Sequence, residues 1–323
     1  MDATSNIATN VAIAAEFELC EKILEMLKKS AVEIGGVSIV EIYPFDEEQG
    51  LRFQNKTVQQ LSPDEIDWSV FNYVFFAGDL STASYLAKAA EAGCVVIDVK
   101  GICASLSDVP IVIPSINEES LIELRQRNIV SLPDVQVSQL ALSIFPFLQY
   151  SEIQRLFVTS LLPVSYTGNE NVGKLAGQTA RLLNGIPLEG SEQRFAFDVF
   201  PQQISHLSLQ FRKIFPQINE VVFHQIQVPV FYGLAQKVSL FSEYEWHYEP
   251  QNSLWLQVHS ELITPVLNGE NENGQENISL HLTNFSLTES GNGAEFWTVA
   301  DDQRFSLAFL SVKLFESIYQ QGY

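Results

Sequence analysis

The sequence predicts an α/β protein in two parts: an N-terminal domain with a parallel sheet, and a C-terminal α+β domain with a mixed or antiparallel sheet. Three observations predict this. Short apolar runs alternate with helical patterns over the first ~130 residues, a β-α-β order that implies a parallel sheet covered on both faces. From about Leu140 the texture changes to helices followed by longer β-patterned runs, as in a segregated α+β domain. The chain has 323 residues, 46% hydrophobic and 11% aromatic, enough for two packed cores.

In the first part the predicted strands are Asn10–Ala15, Val37–Tyr43, Tyr73–Ala77, Val95–Asp98, Ile111–Ile113 and Asn128–Leu132. Helices are predicted between several of them, at Phe17–Lys29, Ser81–Ala92 and Glu118–Arg127. Gly93 is a candidate C-cap after the second helix. In the second part, helices at Ser138–Gln149 and Asn171–Leu183 precede strands at Glu220–Val230, Gln236–Phe241, Leu254–Val258, Ile278–Leu282 and Phe296–Val299. The polar, acidic stretch Asn268–Asn277 reads as an exposed loop. A last helix, Phe305–Gln321, is expected to bury Leu307, Phe309, Leu310, Val312, Leu314, Phe315 and Ile318.

The turn after the first strand is unusual. A dinucleotide-binding fold carries G-x-x-G-x-x-G or G-x-G-x-x-G there, so that backbone amides can approach a pyrophosphate. This chain has Ala14, Glu16, Phe17, Glu18 and Cys20 instead. Phe17 and Glu18 bring side chains into the space a pyrophosphate needs. Glu16 and Glu18 also sit at a helix N-terminus, where the macrodipole favours an anion.

The net charge of −21 repels nucleic-acid phosphates and anionic headgroups, so neither nucleic acid nor membrane is an expected partner. No apolar run is long enough to cross a bilayer, and Met1–Asn6 lacks the basic start of a secretory leader. The three cysteines, Cys20, Cys94 and Cys103, show neither C-x-x-C spacing nor an even count, which fits a reducing cytoplasm. Cys94 reads as a core residue, Cys103 in its loop near Lys100 as the best candidate for a reactive thiol, and Cys20 as a thiol kept protonated by Glu18 and Glu21. The histidines, 206, 224, 247, 259 and 281, show no metal-ligand spacing; His247 and His259 are the pair with a chance of meeting. No metal site, P-loop or G-x-S-x-G elbow is expected.

Several strings carry a resemblance that runs nearly end to end: Ala89–Asp98, Asp108–Pro114 with Asn117, Val228–Gly233 and Trp297–Asp301. They resemble aspartate-semialdehyde dehydrogenases. Pro133-Asp134, Leu175–Thr179 and Leu183–Pro187 are most similar to the Usg-type paralogues of that family. The family's reaction needs a cysteine thiolate, a histidine, arginines for the substrate's carboxylate and phosphate, and a glycine turn for NADP.

Each part, carried over by its motif, is missing. The resemblance places the nucleophile at Val135, the acid-base histidine at Leu234, the substrate arginine at Gln227 and the orienting glutamine at Leu162. The phosphate-binding arginine falls at Ala104, and the asparagine beside the nucleophile becomes Asp134. An asparagine that contacts nicotinamide corresponds to Asp302, and the cofactor turn is degenerate at Ala14, Phe17 and Cys20. The Glu and Lys before Arg212-Lys213-Ile214 are absent, and Ser165–Gly168 matches the family's Ser-Gly-Ala-Gly loop only loosely.

The resemblance implies a Rossmann-like domain over residues 1–134, completed by 303–323, and a semialdehyde dehydrogenase-type dimerisation domain over 135–302. It implies a homodimer through the C-terminal domain, whose aromatics suit an obligate interface. The combined losses imply a pseudoenzyme with no NADP, a scaffold or a binding protein for an unidentified partner. The alternatives are an oxidoreductase with an altered site, or a regulatory subunit that pairs with an active dehydrogenase.

Overall fold

The computed structural model describes residues 9–45, 50–190, 193–260 and 278–323. The predicted loop 268–277 and the N-terminal stretch 1–6 lie outside these. The chain divides into two compact units, residues 1–134 with Leu307–Tyr323, and Val135–Ser306.

The first unit is built on a six-stranded, wholly parallel sheet. From edge to edge its strands are Gln59–Leu61, Ile34–Val40, Thr9–Ala14, Tyr73–Phe76, Val95–Asp98 and Ile129–Ser131. Sequence order runs outward in both directions from Thr9–Ala14, so the crevice beyond Ala14 and Phe76 is a topological switch point. Residues Val11–Ala15 are fully buried, as a central strand covered on both faces requires. Helices Phe17–Lys28 and Ala83–Glu91 follow the two central strands, and Leu310–Gln320 packs Phe315 against Tyr73 and Phe75.

Three expectations change here. Ile111–Ile113 is not a strand but a single bridge from Ile111 to Ser131. Glu118–Gln126 winds as a 3₁₀ helix, and the segment leading into the last helix, Asp302–Phe309, is π-helical. The edge strand Gln59–Leu61 escaped the sequence reading because Gln-Gln-Leu has little strand character and pairs only through tertiary context.

The second unit carries a seven-stranded mixed sheet in the order Phe200–Gln202, Glu220–Gln227, Ile153–Leu162, Leu234–Ser242, Gly293–Ala300, Leu280–Leu287 and Leu256–His259. Two neighbour pairs are parallel, 220–227 with 153–162 and 256–259 with 280–287; the rest are antiparallel. Residues alternate between faces. Val158, Ser160 and Leu162, Leu234, Gln236 and Val238, and Phe296, Thr298 and Ala300 are buried on the face that helix Val135–Leu148 contacts through Gln139. On the other face Phe157, Leu161, Phe241, Trp297 and Val299 stay partly exposed.

Candidate functional site

The cofactor-type half lies in the first unit. The turn after Thr9–Ala14 is only two residues long, Ala15 and Glu16, before the helix begins at Phe17. Glu16 is the N-cap in extended conformation (φ −60°, ψ 146°), and its carbonyl accepts from the amides of Leu19 and Cys20 at 3.0 Å. Its carboxylate reaches 3.7 Å to the Lys100 ammonium, which follows the strand Val95–Asp98. A carboxylate and a cation of the protein itself therefore meet at the switch point, where this fold type places a pyrophosphate.

The neighbouring side chains are also engaged. The Phe17 ring packs edge-to-face on Phe45 at 5.3 Å, and Glu18 points into solvent beside Lys22 at 3.9 Å. Asp79, after the strand Tyr73–Phe76, accepts from the Ser81 amide at 2.8 Å and the Ser81 hydroxyl at 2.5 Å, just ahead of the second helix. These hydrogen bonds, led by the Ser81 hydroxyl, hold the Asp79 carboxyl below the usual carboxylate range. Glu41, beyond Val40, accepts from the Phe45 amide at 3.0 Å and from Gln60 at 3.2 Å. Ala104 is fully buried, and Asp134 is half-buried at the end of the unit.

The cysteines are structural. Burial pushes the Cys20 thiol up to about 12, with the Glu16 charge a minor cause, and its Sγ lies 3.6 Å from the Ala15 carbonyl. The protonation expected from Glu18 and Glu21 thus has burial as its real source. Cys103 is buried rather than loop-exposed, and burial with the Asp98 charge pushes it up to about 12 as well. Cys94 is pushed up to about 11 by burial and sits 3.0 Å from the Trp68 carbonyl. None has the low pKa and access of a reactive thiol.

The catalytic-type half lies in the second unit, and the structure brings its four sequence positions together. Gln227 and Leu162 end adjacent strands as register partners. Leu234 opens the next strand, at the same end, since Ala235 pairs with Leu161. Val135 is the first residue of the helix whose Gln139 amide nitrogen donates to the Leu234 carbonyl at 3.2 Å. All four are buried. The Gln227 side chain donates to the Leu162 carbonyl at 2.9 Å, which fixes the amide orientation and leaves its Oε1 buried with no partner among the described residues. None of the four carries a thiol, imidazole or guanidinium.

Asp302 is likewise turned inward. Its carboxylate accepts from the Ser165 hydroxyl at 2.7 Å, the Gly233 amide at 2.8 Å and Gln303 Nε2 at 3.0 Å. One side chain thus ties the turn Val164–Thr167 to the segment just before Leu234.

Sequence reading missed the polar layer beside this row: Gln139, Ser160, Gln236 and Thr298, all fully buried. The available signal was glutamine in the otherwise apolar helix Val135–Leu148. His259 meets His281, ring nitrogens 3.0 Å apart, rather than His247. Among the described residues no group of three or more His, Cys, Asp or Glu side chains could hold a metal, and no helix is long and apolar enough to cross a membrane.

A doubly wound parallel sheet with a switch point has the architecture of dinucleotide-binding domains, and here a mixed-sheet unit accompanies it in the chain. No family model matches the chain. It is 64% identical over 323 residues to the USG-1 protein homolog of Haemophilus influenzae, covering 100% of both chains. It is 34% identical over 245 residues to aspartate-semialdehyde dehydrogenase 2 of Vibrio cholerae, covering 71% of this chain and 72% of that one. The crystal structure of aspartate semialdehyde dehydrogenase II from Vibrio cholerae matches with a TM-score of 0.85 at 27% identity, over 98% of this chain and 100% of that one. The chain belongs to the aspartate-semialdehyde dehydrogenase family, on its USG-1 branch.

Proposed function

We propose that this chain is a pseudoenzyme of its family: it neither binds NADP in the ordinary way nor oxidises a semialdehyde, and it works as a dimeric scaffold or binding protein. One observation carries the reading. Val135, Leu162, Gln227 and Leu234 converge at one end of the second unit's sheet, and none can attack a carbonyl, move a proton or pair with a carboxylate. Losing a nucleophile together with its base removes the covalent route, not merely part of its rate.

The first unit supports the same reading. Glu16 and Lys100 pair with each other at the switch point, so a cofactor phosphate would have to displace an anion already held there. The dimer part of the proposal rests on the partly exposed face bearing Phe157, Leu161, Phe241 and Trp297.

The test is a calorimetric titration with NADP and NADPH, alongside phosphate-dependent oxidation of aspartate semialdehyde. The expected result is no saturable binding at micromolar nucleotide and no turnover. Turnover with saturable binding overturns the reading in favour of an oxidoreductase with an altered site.

A further inference from the structure

The first unit contains a cavity of about 490 Å³ beside the first residues of the strand Ile34–Val40, a size within the ~300–1,000 Å³ of small-ligand sites. Its outer wall is the two-residue hairpin pairing Arg52 with Thr57 and Phe53 with Lys56. Phe53, Val58 and Phe71 give it apolar sides, and Lys56, Glu65 and Asp67 are the charged residues of its lining. None of these residues belongs to the turn, strand ends or helix start described above.

The floor is bare main chain. Gly35 and Gly36 both line the cavity. Neither has a positive φ, so backbone conformation does not demand glycine. A Cβ on Gly36 would meet only Asn10 Oδ1, at 3.4 Å, so packing does not demand it there either. The register against the central strand slips from Thr9–Ile34 to Asn10–Gly36, which makes Gly35 a bulge residue. Glycine inside a strand marks a bulge, as at Gly35, or a place where another group can approach the backbone closely, as Gly36 leaves room for.

The strand edge is also vacant at this point. On the side away from Thr9–Ala14, pairing with Gln59–Leu61 covers only Ser38, Ile39 and Val40. The neighbouring chain leaves the ladder before Gln59, and the Val58 amide bonds to the Leu51 carbonyl instead. Ile34–Val37 therefore has no strand beside it on that side among the described residues. A main chain with alternating donors and acceptors is the chemistry that completes such an edge.

We propose that this cleft binds a short extended peptide segment. Its main chain pairs with the vacant edge at Gly35–Val37, an apolar side chain lies against Phe53, Val58 and Phe71, and its terminal carboxylate meets Lys56. Lys56 is exposed and has no acidic side chain within ion-pair distance among the described residues. The inference is independent of the pseudoenzyme reading and concerns a different end of the strands.

The test is nuclear magnetic resonance on the full, isotope-labelled chain. The probe is a pool of acetylated tripeptides, valine at both ends and randomised at the centre, as free acids and as C-terminal amides. The expected result is saturable movement of the Gly35, Gly36 and Val37 amide signals, with the acids binding at least about fivefold tighter than the amides. Gly36→Val fills the floor where space allows a side chain, so it should abolish binding without lowering Tm. Lys56→Gln, at an exposed site, should erase the preference for the acids. Unmoved amide signals at millimolar peptide, or peptide binding by Gly36→Val equal to that of the parent, overturns the proposal.

Discussion

Gln139 and Gln236 clamp helix to sheet from opposite sides. From the helix Val135–Leu148, Gln139 Nε2 donates to the Leu234 and Thr298 carbonyls at 3.2 Å and to the Thr298 hydroxyl at 3.0 Å. From the strand Leu234–Ser242, Gln236 Nε2 donates to the Gln136 carbonyl at 3.0 Å and the Ser160 hydroxyl at 3.1 Å. Carbonyl acceptors fix both amide orientations, and each Oε1 is left buried with no partner among the described residues. The layer beside the catalytic-type row is therefore structural.

That clamp predicts an asymmetry. Gln139→Glu would turn a carboxylate toward the Leu234 and Thr298 carbonyls, with the Thr298 hydroxyl the one donor among the groups that Gln139 Nε2 now contacts. The cost should be about 2–5 kcal/mol at pH 8. Burial raises the new group's pKa, so stability should return as pH falls and the carboxyl protonates. Urea unfolding at several pH values checks both parts.

Asp98 predicts a pH slope in the first unit. It is fully buried and accepts from the Cys103 amide at 2.7 Å, the Ser131 hydroxyl at 2.7 Å and the Ile102 amide at 3.1 Å. Burial outweighs these bonds and pushes its carboxyl up to about 6. The folded state then holds a proton that the unfolded state has released, so stability falls as pH rises from ~4 through ~6, by about 3 kcal/mol. Asp98→Asn should gain relative to the parent over that window, which cancels the slope from overall acidity. Paired denaturant titrations measure the difference.

His281 predicts the opposite slope in the second unit. Burial, with the charge of His259 as a lesser cause, pushes its imidazole down to about 4. The unfolded state then takes up a proton first, so stability is present above ~6.5 and is lost as pH falls through ~4, by about 3 kcal/mol. The His281 ring signals should stay neutral through pH 5 by magnetic resonance. A His281 titration midpoint near 6.5 would contradict this.

At the switch point, Glu16→Gln removes the resident anion and frees Lys100. As a partly exposed pair, Glu16 and Lys100 contribute only about 0.2–1 kcal/mol, so the variant should fold. Millimolar inorganic pyrophosphate should then raise the Tm of Glu16→Gln more than that of the parent, measured by scanning calorimetry. An equal shift in both proteins would mean that Glu16 does not occupy the anion position.

For the proposed dimer, Trp297→Glu places a charge on the partly exposed sheet face beside Lys237 and Glu295. Light scattering at micromolar concentration should give a dimer for the parent and a monomer for the variant. A monodisperse monomeric parent would end the dimer proposal.

Much of this was legible in the sequence because it is local. The missing glycines at Ala14, Phe17 and Cys20 follow from residue identity in the turn, and Val135 at the nucleophile position follows from the resemblance to the family's motif. The 3₁₀ winding of Glu118–Gln126 and the strand Gln59–Leu61 were not legible, since propensity is a weak guide where neighbours decide. Cys103 read as a candidate reactive thiol in a loop; it does lie in a turn, but nothing in its flanking residues announces its burial.

By itself the sequence determined the fold class through its periodicity and the family through the strings it shares with it, because both are written residue by residue. Only the tertiary structure decided where the substituted groups turn. It pairs Glu16 with Lys100, ties Asp302 to Ser165 and Gly233, and sets Gln227 beside Leu162. Partner choice and burial depend on contacts between residues far apart in the chain, and no local pattern encodes them.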